Sequence, residues 1–112
     1  MNLYKIIIIC LLSILLLAEK CSDNSIIKGV VVLPNPVNDH CELVIELAEE
    51  TELNIRIHNS IGDMVLEPAK SVNYSAGEAR IPIQTSALPS GTYMIMINNS
   101  KEMLTEKMLV VH

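Results

Sequence analysis

The feature that most constrains this chain is a two-residue alternation of apolar and polar side chains that recurs in short segments. Residues 41–47 place Cys41 and three aliphatic side chains on one side and two glutamates on the other. Residues 53–57 repeat the pattern, with Asn54 and Arg56 between leucine and isoleucine. A period of two predicts strands with one buried face and one solvated face.

Turn residues separate these segments every eight to twelve residues or so, which is typical of a β-sandwich. The pattern predicts an all-β domain, a seven-stranded antiparallel Ig-like sandwich with Greek-key connections. The predicted strands are residues 29–33, 41–47, 53–57, 64–66, 79–83, 92–97 and 103–111. Strand parity predicts the following inward side chains: Leu43, Ile45, Leu53, Ile55, Ile57, Ile81, Ile83, Tyr93, Ile95 and Ile97.

Two prolines and one apolar run refine this picture. A proline has no backbone N–H to give to a ladder, so we expect the fourth strand to stop near Pro68. Pro82 should face outward on a strand at the edge of a sheet. Residues 92–97 are apolar on both faces, which predicts a central strand.

The first 18 residues have the pattern of a signal peptide. Residues 6–18 are free of charge, and they are too few for a membrane span of roughly 20 residues. Ala18 is the predicted cleavage position, and residues 19–28 would form a flexible lead to a domain over 29–112. The alternative is a lipoprotein signal ending at Cys21, although Glu19 and Lys20 stand where small residues are preferred.

Charge and composition exclude several function classes. The net charge is −5, and the eight basic residues are scattered, which argues against a nucleic-acid partner. The paired-cysteine spacing of a zinc or redox site is missing, and Cys41 is expected to be a buried free thiol. The acidic stretch 46–52 lacks the aspartate spacing and glycine of a calcium loop.

Catalytic groups are also not apparent. The three histidines, His40, His58 and His112, are expected to face solvent and not to form a metal site. The sequence has neither a nucleophile elbow nor a phosphate loop. We therefore expect a non-enzymatic protein with no cofactor, no metal and no small-molecule substrate, and with membrane attachment only if Cys21 is lipidated.

Four segments, in order, resemble the C-terminal sorting domain (type A) of the type IX (Por) secretion system. Residues 33–39 resemble its opening motif, 55–65 its strand-turn-Gly unit, 88–93 its Leu-x-x-Gly-x-Tyr unit and 107–111 its closing Lys-hydrophobic strand. The residues that carry the resemblance are Pro34, Asn35, Pro36, Gly62, Gly91, Tyr93 and Lys107. We expect sharp turns at both glycines, and the Tyr93 ring in the core with its hydroxyl at the rim.

The resemblance implies a sorting or interaction module whose partner is the type IX machinery at the outer membrane. It implies export to the periplasm, the outer-membrane surface or the medium. Sorting domains of this kind follow a large secreted protein, whereas here only the leader and about a dozen residues precede the domain. The alternative is an independent small Ig-like binding domain in the periplasm or at the cell surface, since a fold alone does not define a function.

Overall fold

A computed structural model describes residues 2–5 and 24–112, of which 3–5 form one helical turn. All regular structure in residues 24–112 is β-strand, so the all-β prediction is confirmed. Among the described residues, no helix has the length and apolar character needed to cross a membrane. The strands are β1 (Ile27–Leu33), β2 (His40–Leu47), β3 (Thr51–His58), β4 (Met64–Tyr74), β5 (Gly77–Gln84), β6 (Gly91–Asn98) and β7 (Met103–Val110).

The strands form two sheets that pack as a sandwich. One sheet has the order β1-β2-β5 and the other the order β4-β3-β6-β7. Every pair of neighbouring strands is antiparallel. The chain crosses between the sheets after β2, β4 and β5, whereas β1–β2, β3–β4 and β6–β7 are hairpins within one sheet. As predicted, β6 is central and Pro82 is exposed on the edge strand β5.

The core lies between the sheets and follows the predicted parity. All ten predicted inward residues are buried, none with more than 6% of its surface exposed. Burial of a side chain of this size stabilises a fold by about 1.5–3 kcal/mol. The core also contains Val37, Met108 and Val110, which were not predicted, and the buried free thiol of Cys41, which was.

Two strand boundaries differ from the prediction. Strand β1 begins at Ile27, inside the expected lead, because the Ile27 side chain is buried in the core. Strand β4 does not stop at Pro68 but runs on to Tyr74. It is an edge strand, and the register shifts so that Glu67 and Pro68 lie opposite Arg56 in a bulge. A bulge on an edge strand accommodates a residue without an N–H.

Candidate functional site

All four motif segments reach the same end of the sandwich. The strands β1, β3, β5 and β7 all end here, because successive strands run in opposite directions. The pairing of Val37, which follows β1, with Val110 at the end of β7 shows that these two strand ends are adjacent. The motif end, as we call it, consists of residues 34–39, 59–63, 85–90 and 111–112. The opposite end carries the other three connections. Segments that are far apart in sequence are therefore brought to one surface.

Asn35 joins the first motif to the last. Its side-chain amide donates from Nδ2 to the Lys107 carbonyl at 3.1 Å, and its Oδ1 accepts from the Leu109 N–H at 3.1 Å. The amide thus supplies one donor and one acceptor to the outer edge of β7, as a neighbouring strand would. An asparagine side chain is suited to this position because it carries both groups.

Val37 continues the same contact with its backbone. Its N–H donates to the Leu109 carbonyl at 2.7 Å, and its carbonyl accepts from the Val111 N–H at 2.8 Å. The pairing with Val110 is parallel, and the Val37 side chain is fully buried. Residues 35–37 therefore cover the end of the β7 edge as a very short extra strand. Sequence reasoning missed this role, because no alternation surrounds an isolated valine after Pro36.

The loop between β5 and β6 fixes the other side of the first motif. The Thr85 N–H donates to the Asp39 carbonyl at 2.8 Å, and the Thr85 hydroxyl donates to the Asn38 carbonyl at 2.9 Å. Thr85 is fully buried, and its polar groups are satisfied by these bonds. Residues 38–39 are thereby held against the loop that leads into the third motif.

Tyr93 behaves as predicted. Its ring is buried, and its hydroxyl donates to the Pro89 carbonyl at 2.6 Å, which fastens the loop that precedes β6. Gly91 does not form the sharp turn that was predicted. It is the first residue of β6, it pairs with Val110 and it lacks a positive φ. A Cβ at Gly91 would meet only the Tyr93 ring, at 4.0 Å. The expected sharp turn at Gly91 is therefore wrong, because the bend is made by the residues before it.

The second motif forms a separate turn at this end. Gly62 has a φ of +93°, as the turn prediction required, and this region favours glycine. The Asn59 side chain accepts from the N–H groups of Ile61 and Asp63 at 3.2 and 2.9 Å. The turn is thus shaped by its own residues, and the Ile61 side chain is 81% exposed.

The remaining motif residues are exposed. Pro34 and Pro36 flank Asn35 on the surface, and both preceding peptide bonds are cis. Lys107 points outward from β7, as its parity predicted. Proline rings, an asparagine amide and a lysine ammonium thus share one stretch of surface beside β7, which suits recognition by another macromolecule.

His112 is exposed, as expected, and its side chain also contacts the neighbouring segments of the motif end. Its ring nitrogens lie 2.7 Å from the Leu88 carbonyl and 3.1 Å from the Asn38 Oδ1. Its backbone N–H donates to the Ser90 hydroxyl at 3.0 Å. These bonds tie the last residue to both neighbouring loops.

Groups able to do chemistry are few in the part of the chain that the structure describes. Burial raises the pKa of the Cys41 thiol, which disfavours the reactive thiolate. No group of three or more His, Cys, Asp or Glu residues there is placed to hold a metal ion. Ala18 and Cys21, the predicted cleavage and alternative lipidation positions, lie outside the described residues.

Comparison with known proteins identifies a family. A family model described as the secretion system C-terminal sorting domain matches residues 31–111. This range includes all four motif segments, strands β2 to β7 and the last three residues of β1. No curated protein matches the sequence.

Proposed function

The chain belongs to the family of secretion system C-terminal sorting domains, and from this premise we propose that its motif end docks to the type IX machinery and directs passage across the outer membrane. Membership implies a protein exported to the cell surface or beyond, with that machinery as its partner. We further propose that the domain acts without catalysis, through recognition alone.

The contact of Asn35 with β7 is the observation that carries the proposal. The first and last motifs are built into one surface by two side-chain bonds and two backbone bonds. The exposed Lys107 lies within the same patch. A partner that binds this patch would contact both motifs together, although they lie far apart in the sequence.

A secretion assay in a host that exports its own cargo by the type IX system tests the proposal. A folded reporter is inserted after Ala18, so that the described residues 24–112 follow it. We expect the reporter to become accessible to added protease on intact cells. A reporter that stays in the periplasm while the host secretes its own cargo contradicts the sorting role and favours an independent Ig-like binding domain.

Two matched pairs of variants locate the docking surface. Lys107→Glu reverses an exposed charge on β7 beside the Asn35 contact, and Lys101→Glu makes the same change in the β6–β7 loop at the other end of the sandwich. We expect only the first to retain the reporter in the periplasm. Asn35→Ala removes two hydrogen bonds, and Asn73→Ala is its control because the Asn73 amide donates to Glu50 away from the motifs.

Melting curves of the four variants separate docking from folding. Loss of the two Asn35 bonds should lower stability by about 1–3 kcal/mol, since each contributes about 0.5–1.5 kcal/mol. The two lysine variants should melt within a few degrees of the parent protein, since exposed charges contribute little. If Lys107→Glu folds and is still secreted normally, this patch is not what the machinery reads.

The mass of the exported chain tests the proposed leader. Cleavage after Ala18 gives a chain that begins at Glu19. Cleavage before Cys21 with lipidation instead gives a shorter, acylated chain in the membrane fraction. A full-length chain in the periplasm contradicts both alternatives.

A further inference from the structure

Three side chains form a row across the outer face of the four-stranded sheet, near the motif end. His58 lies directly opposite Met64 on β4 and directly opposite Met94 on β6. His58 and Met94 have the opposite parity to the buried Ile57 and Tyr93, so they face away from the core. An imidazole therefore stands between two thioethers on a solvent-facing sheet.

His58 lies on the outer face of its strand, as predicted, but its imidazole is only partly open to solvent. The residue is half-buried, and its Nδ1 is buried without a hydrogen-bond partner. It is the one buried side-chain nitrogen or oxygen in the described residues with no partner. Leaving such a group unsatisfied costs about 1–3 kcal/mol. A ligand that accepts a lone pair from this nitrogen would remove that cost.

We propose that Met64, His58 and Met94 form a binding site for a monovalent copper ion, held by two thioether sulfurs and one imidazole nitrogen. Soft thioether donors select monovalent copper, and an imidazole also suits it. Zinc is disfavoured, because its protein ligands are thiolate, imidazole and carboxylate and not thioether. Two cationic residues, Arg56 and Lys107, face outward on the same sheet and repel a divalent ion about twice as strongly as a monovalent one.

The three donors can reach a common ion. Directly opposite residues of antiparallel strands have Cβ atoms about 4.5–5.5 Å apart, which applies to His58 and Met94; Met64 lies opposite His58 just after a register shift at Ile57. Methionine has three rotatable side-chain bonds, so each sulfur can turn toward the ring between them. Met64 is 52% exposed and Met94 is 37% exposed, so neither has to leave the core to do so.

A competition titration tests the site. The full chain is expressed with its own leader, purified from the periplasm and kept anaerobic with ascorbate. Monovalent copper is then partitioned between the protein and a chromophoric chelator. We expect one equivalent to bind, with about a tenfold or greater loss of affinity in Met64→Leu and in Met94→Leu, each of which removes one sulfur at nearly constant volume.

Three control variants give the titration its specificity. Met103→Leu, on the same face but 63% exposed and toward the other end, should bind within about twofold of the parent, a change of roughly 0.4 kcal/mol. Cys21→Ser and Cys41→Ala should also keep the site. Equal loss in Met103→Leu would mean that methionines on this face bind copper without a defined site. Loss in either cysteine variant would assign the ion to a thiol, and both outcomes overturn the proposal.

A second measurement avoids variants altogether. Silver(I) is a redox-inert substitute for monovalent copper, and methionine methyl resonances report on the neighbouring sulfur. Addition of one equivalent to the wild-type chain should shift the methyl signals of Met64 and Met94 and the ring signals of His58, but not the methyl signal of Met103. If His58 and the two methionines do not respond together, the three residues do not share an ion.

Discussion

Replacing Ile55 by alanine should remove most of the stability of this domain. Ile55 is fully buried in β3, opposite Ala69 on β4 and Ile97 on β6. The substitution deletes three carbon atoms, which at about 0.8 kcal/mol each lowers the free energy of unfolding by roughly 2.4 kcal/mol. A residual cavity of about 70 Å³ adds roughly 1.7 kcal/mol, for a total of about 4 kcal/mol.

Thermal and urea unfolding, followed by circular dichroism, measure this loss. A loss of about 1 kcal/mol lowers the melting temperature of a domain of this size by about 4–8 °C, so we expect a drop of roughly 15–30 °C. Ile61→Ala is the matched control: the same side chain is deleted, but Ile61 is 81% exposed in the β3–β4 turn. The control should change stability by no more than about 0.5 kcal/mol. A loss below about 1 kcal/mol for Ile55→Ala, or equal losses for both variants, would refute the packing argument.

Three further predictions concern the motif residues and the buried thiol. Gly62→Ala should lower the free energy of unfolding by about 1–2 kcal/mol, because the φ of Gly62 is +93°. Gly91→Ala should change it very little in the same urea titration. Equal effects of the two substitutions would contradict the conclusion that the chain turns sharply at Gly62 and not at Gly91. Tyr93→Phe should lose about 1 kcal/mol through the bond to the Pro89 carbonyl, and an unchanged melting temperature would show that this bond contributes nothing. Burial raises the pKa of Cys41 above its ordinary value of 9.0, so the Cys41 thiol of the folded protein should resist thiol reagents at pH 8. The stability of the fold should decrease as the pH rises above 9.0, because there the thiol ionises readily only in the unfolded chain. Rapid labelling of Cys41 in the native protein would contradict this.

Much of the fold could be predicted because local alternation and burial agree in this chain. The isoleucines of β3, β5 and β6 occur at every second position, and the core takes up all of them. Pro82 was also predictable, because an outward proline fits only a strand with one unpaired edge. In each of these cases the neighbouring residues alone carry the necessary information.

Other features could not be predicted, because they depend on partners far away in sequence. The continuation of β4 through Pro68 depends on a bulge opposite Arg56, which exists only once β3 and β4 are paired. The burial of Val37 depends on β7, and the position of His112 depends on the Leu88 carbonyl. The motif residues were found by resemblance, but their assembly into one patch required the three-dimensional contacts.

The hydrogen bonds from Asn35 to β7 have a consequence for the order in which parts of the chain are synthesised and folded. These two hydrogen bonds join residues 72 and 74 positions apart. At a synthesis rate of about 5–20 residues per second, Lys107 follows Asn35 from the ribosome after roughly 4–14 s. Contacts between such distant residues also form slowly, since a long loop must close first. The motif end is therefore completed only when β7 is in place, so under the proposed docking a partner would distinguish folded chains from incompletely folded ones.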